Sequence, residues 1–437
     1  MTFTSTLFAF TDAVYINGRS ILDYVHSFAQ VGFYFFLYLM VGLTTLYLLF
    51  SLYALIRWKK TAEQPLDLTK APFVTIQIPT RNELIALRCA EHCLAFNYPK
   101  DKYEIIIGDD SNDRKVSREL RKFARVHASV RVLKRKENIG YKPGNLNNLL
   151  KHSNGEIIVI FDSDFVPEPD FLKRIVAPFA HDGRVAIVQA RWNFNNFDQN
   201  LVTILASTIV YTFHNIVLSI LHRFGTASLC GSAEAVRKKD LVALGGWKSG
   251  SLTEDIEYAL RLFKNGKKMV YLPTLECYSE VPYKAKDLYK QQMRWAYGVI
   301  TSYKAHLKDL MLSRKLSLKQ KIISLAPGFG YLLPMFMAMI FLFGVLSLVT
   351  HRPAPLDLER FFREFFWNTL LTSGLLIASM VALLKAKKLK YTLKMIASSF
   401  SFGIITTYYV NKGIFKSLTN KPMQWFLLSK DVPAKRS

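Results

Sequence analysis

The sequence predicts an α/β domain with a mostly parallel sheet, flanked by apolar helices long enough to cross a membrane. Three observations predict it. Short β-branched runs alternate with helical stretches between about residues 73 and 272. Three of those runs end in acidic or polar clusters. Uncharged apolar stretches lie on both sides of the segment. Strands separated by helices of this length imply right-handed βαβ crossovers and parallel pairing.

The strands are expected at 74–78, 104–108, 130–133, 156–161 and 185–189, with helices at 83–96, 114–126 and 170–179. The first strand runs into Pro79-Thr80-Arg81-Asn82-Glu83, the second into Asp109-Asp110-Ser111-Asn112-Asp113, and the fourth into Asp162-Ser163-Asp164. Ligands of such sheets bind beyond the carboxyl ends of the strands. One cluster alone reads as a helix N-cap; three at three strand ends read as a nucleotide and metal site. Asp162 and Asp164 are the candidate ligands of Mg²⁺ or Mn²⁺, hard cations that take carboxylate oxygen and diphosphate together. Thr80, Arg81, Glu83, Asp109 and Asp110 are the candidate contacts to the nucleotide. In 140–145, Gly-Tyr-Lys-Pro-Gly-Asn reads as a flexible loop that places Lys142 near phosphates.

Downstream, Thr253-Glu254-Asp255 opens a helix after the glycine turn Gly245-Gly246. A carboxylate there is held ionised by the helix N-terminus, which suits a general base; Asp255 is the candidate, with Glu254 and Thr253 beside it. Thr253 also reads simply as an N-cap. The segment Gln291-Gln292-Met293-Arg294-Trp295 lies on a helix rich in aromatic and basic residues. An indole offers a pyranose ring an apolar face, and a guanidinium can grip a diphosphate through two hydrogen bonds.

Outside the α/β segment, the run 31–56 is apolar and uncharged and ends in Arg57, Trp58, Lys59 and Lys60. Further runs cover about 325–349 and 366–384, each long enough to span a bilayer. The positive-inside rule puts the N-terminus outside and the α/β domain in the cytoplasm. From residue 385 onward there are 11 Lys or Arg against one acid, Asp431, so the stretch 391–410 reads as a helix lying at the cytoplasmic interface. The expected organisation is an N-terminal segment and span (1–60), a cytoplasmic domain (61–318), two spans (319–384) and a basic interfacial tail (385–437). The formal net charge of +25 is assigned to anionic headgroups and substrate phosphates, because no nucleic-acid module is present. Cys89, Cys93, Cys230 and Cys277 have neither disulfide nor zinc spacing; Cys89 and Cys93 share a helical face and read as packed thiols.

The series Asp109-Asp110, Asp162-Ser163-Asp164, Thr253-Glu254-Asp255 and Gln-x-x-Arg-Trp resembles the processive family 2 glycosyltransferases, which include cellulose, hyaluronan and mannan synthases. Segments 140–145, 161–172, 188–192 and 289–295 are similar to the cellulose-synthase-like mannan and glucomannan branch. The resemblance covers about residues 73–300. It implies a GT-A fold, inversion at the anomeric carbon and a β-linked product built from UDP-glucose or GDP-mannose. It also implies that Asp110 contacts the nucleotide, Asp164 the metal, and that Asp255 is the base. Gln291, Arg294 and Trp295 then border donor and acceptor. Cys230, Gly231 and Ser232 resemble the loop beside the acceptor terminus. Trp425 and Lys430 match the ends of the family's gating pattern W-x-x-T-x-K, with Leu428 in the place of threonine. The alternative reading is a glycolipid synthase that moves one hexose to a lipid; oligomers are compatible with either. A non-catalytic scaffold is the third reading, against which the intact acidic set argues.

Overall fold

The protein is described here from a computed structural model over residues 3–56, 64–226, 228–351 and 357–426, with side chains from residue 20 onward. The basic flank 57–60 and residues 427–430 of the gating pattern lie outside the described residues. The chain divides into two compact units, Met1–Leu49 with Phe329–Ala378, and Phe50–Gly328 with Ser379–Ser437.

Helix α1 (Phe3–Ile56) opens the chain, and its residues Ser20–Ile56 are apolar and long enough to cross a membrane. The sheet-bearing unit begins with β1 (Val74–Thr80), α2 (Ile85–Leu94), β2 (Tyr103–Asp109), α3 (Arg114–Val126) and β3 (Val130–Lys134). It continues through α4 (Tyr141–Lys151), β4 (Ile157–Ile160), α5 (Phe171–His181) and β5 (Val185–Phe194). All residues of β1 and β2 are buried, as strands covered on both faces require. After β5 come α6 (Leu201–Thr212), a π-helical turn (Phe213–Val217) and α7 (Leu218–Arg223). They are followed by β6 (Glu234–Arg237), α8 (Lys238–Ala243), α9 (Glu254–Lys264), β7 (Lys268–Ser279) and the long α10 (Ala285–Leu312).

The sheet has seven strands in the order β3-β2-β1-β4-β6-β5-β7. The five expected strands are all present, and β1 pairs in parallel with β2 and β4, as β2 does with β3. Two further strands join the sheet, and one of them makes it mixed. β6 is antiparallel to both β4 and β5; its four residues, Glu-Ala-Val-Arg, are too short and too charged to carry a strand signal. β7 pairs in parallel with β5 across a register shift after Ala190, and Pro273 interrupts its apolar run. The reversal at β6 matters for the site. Ile160 at the end of β4 pairs with Glu234 at the start of β6, so the loop entering β6 arrives at the edge where the acidic strand ends lie. Cys89 and Cys93 are fully buried free thiols in the core behind the sheet.

The chain continues through α11 (Leu318–Ile323), α12 (Ala326–Thr350), α13 (Leu358–Leu371), α14 (Gly374–Lys385), α15 (Thr392–Ser398), a second π-helical turn (Ser399–Gly403) and α16 (Ile404–Leu418). Among the described residues three helices are long and apolar enough to span a membrane: Ser20–Ile56, Leu201–Arg223 and Ala326–Thr350. Most of Leu201–Arg223 is buried within the protein, which the sequence reading did not single out. The apolar run expected at 366–384 falls on α13 and α14, which meet at a bend of 47°. The Thr372 and Ser373 hydroxyls bond back to the carbonyls of Asn368 and Leu370, and hydroxyls that do so bend helices.

The stretch expected at an interface forms α15 and α16, and one side of α16 packs along α10. Tyr409 stacks on Tyr289 with ring centroids 5.3 Å apart, and the Thr301 and Ser417 hydroxyls are 2.7 Å apart. Gly413 permits this contact: a Cβ there would sit 2.4 Å from the Met293 carbonyl oxygen. The opposite side leaves Leu393, Phe400, Ile404, Tyr408 and Phe415 exposed. Replacing Gly413 by Leu is expected to push α16 off α10 and to cost about 1–3 kcal/mol, the usual penalty for overpacking. Thermal unfolding measures it; an unchanged Tm would contradict the close approach.

Candidate active site

The carboxyl ends of β2, β1 and β4 lie side by side, with Thr80 paired to Asp109. Short polar contacts bind their loops together. Asn82, in the left-handed region at φ 58°, turns the β1 loop toward that of β2. Its amide donates to the Ser111 hydroxyl, and its side-chain oxygen accepts from the Asn112 and Asp113 amides. Thr80 donates to the Glu83 carbonyl, and the Glu83 carboxylate accepts from Ser163, the middle residue of Asp-Ser-Asp. All three predicted clusters therefore form one edge.

The paired aspartates differ in their engagements. Asp110 is held by Arg135 in a two-pronged ion pair at 2.7 and 2.5 Å. Asp109 is fully buried; its Oδ1 accepts from the Ser111 amide, while Oδ2 has Lys134 at 3.5 Å but no hydrogen bond. The Arg81 Nε is likewise buried without a hydrogen-bond partner. Asp164 is buried and accepts from the Glu280 amide. Asp162 has the more open side chain, 32% exposed, with Oδ1 2.7 Å from Lys142 Nζ.

Lys142 is the hub. Its ammonium meets Asp162 and lies 3.4 Å from Glu254, and it donates to the Gly231 carbonyl at 2.5 Å. Burial opposes its charge, yet Asp162 and Glu254 hold it above its ordinary value. The residues around it are not the loop expected from 140–145. α4 begins at Tyr141, with Gly140 as its left-handed cap at φ 73°. Proline and glycine are tolerated because they fall in the first turn, where amide donors have no intrahelical acceptor.

Thr253-Glu254-Asp255 stands where expected, at the start of α9, with Glu254 and Asp255 buried. Thr253 occupies the N-cap position without a capping bond; its hydroxyl lies 3.3 Å from that of Ser302 on α10. Asp255 is not held ionised as its place at a helix start predicts: burial, then Glu254, pushes its carboxyl up to about 7, with the Ile256 amide, Lys142 and Arg294 pulling the other way. The Cys230-Gly231-Ser232 loop lies against this group. A Cβ on Gly231 would be 3.4 Å from Asp255 Oδ2 and 3.5 Å from Lys142 Nζ. Ser232 accepts from the Asp162 amide, and burial together with Asp255 raises the Cys230 thiol. Arg294 donates to the Leu252 carbonyl and sits 4.3 Å over the ring of Trp425, which also stacks with Tyr141. Gln291 and Trp295 are half-buried on the same helical face as Arg294.

The sequence reading missed Glu234, a buried carboxylate whose Oε2 accepts from the Gly231 amide. Burial, then Asp255, raises it well above the usual carboxylate range. It also missed Arg135 and Gln189, which donates to the Ser232 carbonyl and accepts from the Cys230 amide. For Arg135 the signal was Lys134-Arg135 at the end of the third strand. Gln189 was hidden inside the strand expected at 185–189, and Glu234 in a segment too short and too charged to carry a strand signal.

Three acidic strand ends facing a buried carboxyl that titrates near neutrality suit group transfer from a nucleotide-linked substrate. Residues 71–298, more than half of the chain, match the family described as glycosyltransferase-like family 2, and the chain belongs to that family. It is 32% identical over 272 residues to glucomannan 4-beta-mannosyltransferase 2 of Arabidopsis thaliana, 60% of this chain and 50% of that one. It is 32% identical over 264 residues to glucomannan 4-beta-mannosyltransferase 1 of Oryza sativa subsp. japonica, 57% of this chain and 50% of that one. The chain thus spans about half the length of the curated relatives it matches. A mannosyltransferase from Pyrobaculum calidifontis, solved in complex with GDP-Man and Mn²⁺, shares the fold with a TM-score of 0.62 at 19% identity. The match covers 92% of this chain and 100% of that one. The chain carries a family 2 glycosyltransferase-like domain with a GT-A-like fold.

The raised Asp255 has a consequence for stability. Its contribution is full below the unfolded value, near 4, and is lost as pH rises to about 7. Asp255→Asn is therefore expected to stabilise the protein at pH 8 by on the order of 1–4 kcal/mol and to have little effect near pH 4. Denaturant melts at both pH values measure the difference.

Proposed function

We propose that this glycosyltransferase is integrated in a membrane and transfers a hexose, with inversion, from UDP-glucose or GDP-mannose to a growing β-linked glucan, mannan or glucomannan. The observation that carries the chemistry is Asp255: a buried carboxyl with a value near 7, with Gly231 of the acceptor loop close to both it and the Lys142 ammonium. A general base works best when it titrates near the working pH. Asp255 takes the proton of the acceptor hydroxyl, with Glu254 raising its basicity and Thr253 buttressing the helix start. Thr80, Arg81, Glu83, Asp109 and Asp110 form the nucleotide side, and Lys142, Gln291 and Arg294 the phosphate side. Cys230, Gly231, Ser232 and Trp295 border the acceptor.

A divalent cation fits the residues present. Around Lys142 the carboxylates outnumber the cations, so the edge has excess negative charge. Lys142 engages only Oδ1 of Asp162. Among the described residues no three His, Cys, Asp or Glu side chains converge to hold a metal, which suits an ion completed by diphosphate oxygens. Asp162 and Asp164 would hold Mn²⁺ or Mg²⁺, which when bound neutralises charge on the departing diphosphate. The mannosyltransferase solved with GDP-Man and Mn²⁺ supports that choice.

The membrane reading is supported by the apolar helices, and the cytoplasmic placement by Arg57, Lys59, Lys60 and the lysines after residue 384. The exposed side of α15 and α16, with Leu393, Phe400 and Ile404, suits an interfacial helix.

Two outcomes test this reading. Asp255→Asn is expected to retain nucleotide binding while transfer falls by roughly 10²–10⁴-fold, assayed with a panel of labelled nucleotide sugars and product sizing. Equal loss of binding and transfer would refute the base assignment, and a single hexose on an organic-soluble lipid would replace the polymer by the glycolipid product. EDTA is expected to abolish transfer and Mn²⁺ or Mg²⁺ to restore it; full activity in chelator would refute the metal.

A further inference from the structure

Away from the acidic edge, the sheet-bearing unit contains a cavity of about 300 Å³ whose lining includes Arg191, Asn193, Glu276, Lys385, Lys387 and Lys388. Alternation along β5 separates it from the active site. Trp192 turns to the Ser232 carbonyl of the acceptor loop, while its neighbours Arg191 and Asn193 turn to Glu276. Four cations line the cavity against one acid. That acid is already committed, because Glu276 is paired with Arg191 and accepts from Asn193 at 2.6 Å. Lys387 and Lys388 therefore bring charge that no carboxylate lining the cavity offsets.

The lysines are gathered there by the way α14 ends. The Lys388 amide donates to the Leu383 carbonyl and the Lys387 amide to that of Leu384, the two bonds of a Schellman cap. Lys387 takes the left-handed position at φ 59°, where glycine is usual and any Cβ is costly. The cap folds the chain back so that Lys385, Lys387 and Lys388 line one space instead of spreading around a helix. Lys385 donates to the Asn215 carbonyl at 3.3 Å, and Lys388 lies over the Phe197 ring at 5.1 Å, which fixes both stems.

We infer that this cavity is a binding site for a phosphate group, supplied by the headgroup of an anionic lipid. The cations demand an anion, and the volume is at the small end of ligand pockets, suited to a headgroup rather than a nucleotide sugar. The lipid as source rests on reading α13 and α14 as a membrane span. The lysines follow α14 directly, flanked by the exposed Leu384 and Leu389, and basic residues just past a span recruit acidic lipids.

The test uses the full chain in detergent, with Tm followed as phosphatidic acid, phosphatidylcholine or glycerol 3-phosphate is added. Phosphatidic acid is expected to raise Tm and phosphatidylcholine not to. In K387Q/K388Q the midpoint should move up by roughly 30-fold, about fivefold per lysine, whereas K390Q/K394Q, which removes equal charge outside the cavity, should change it less than about threefold. If the double variant fails to fold, the single variants K387Q and K388Q each carry the same expectation at about fivefold. Equal weakening in the two double variants, or an equal response to phosphatidylcholine, overturns the site. Glycerol 3-phosphate acting at the same midpoint as the lipid overturns the lipid source. Because the readout is Tm, it stands apart from whether the chain transfers sugar.

Discussion

Lys142 carries one positive charge into a buried space shared with Asp162, Glu254, Asp255 and Glu234, and the active-site architecture depends on how that charge is distributed. It pairs with the acidic edge through Asp162, with the start of α9 through Glu254, and with the 230–232 loop through the Gly231 carbonyl. Three segments far apart in the chain are thereby held within reach of one ammonium group. Breaking one side of a buried pair leaves an uncompensated charge, which costs far more than the pair itself contributes. The cluster is therefore strongly interdependent, and burial, then the neighbouring carboxylates, keeps Asp255 and Glu234 above their ordinary values.

The rest of the site is arranged to support that cluster. Gly231 is gripped from both sides, its amide by Glu234 and its carbonyl by Lys142. Gln189 fixes the flanking residues of the same loop. On the other side, α10 braces α9 through Arg294 and Ser302 and is itself braced by α16. The stack of Arg294, Trp425 and Tyr141 brings the C-terminal segment against the helix that bears Lys142.

Much of this was legible because the strongest local signals and the site coincide. Strands β1, β2 and β4 are buried on both faces, so each had to be a continuous β-branched run, and the polar residues that interrupt each run mark its end. Asp109 and Asp162 were found in that way, and Asp255 from the helix start that follows the Gly245-Gly246 turn. The errors have the opposite cause. The segment 140–145 read as a loop because it contains proline and two glycines, yet in the first turn of a helix these residues forfeit no hydrogen bond. The breaker signal does not apply at a helix N-terminus, where the amides have no intrahelical acceptor. The span expected at 366–384 is bent because Thr372 and Ser373 bond to their own helix, a choice that composition does not display.

The sequence by itself determined the α/β alternation, the apolar helices, the charge asymmetry and the types of residue at each strand end. These are local properties: periodicity, propensity and charge act over a few residues and need no partner. Only the tertiary structure decided that β6 runs antiparallel, that its entry loop therefore reaches the acidic edge, and that Glu234 joins Asp255 beside Lys142. It also decided that Asp110 is occupied by Arg135, and that lysines after α14 converge with Arg191 on a second cavity. Those outcomes depend on pairing between residues tens to hundreds of positions apart. The energies that set them, desolvation and Coulomb attraction in a buried space, exist only once the chain has folded.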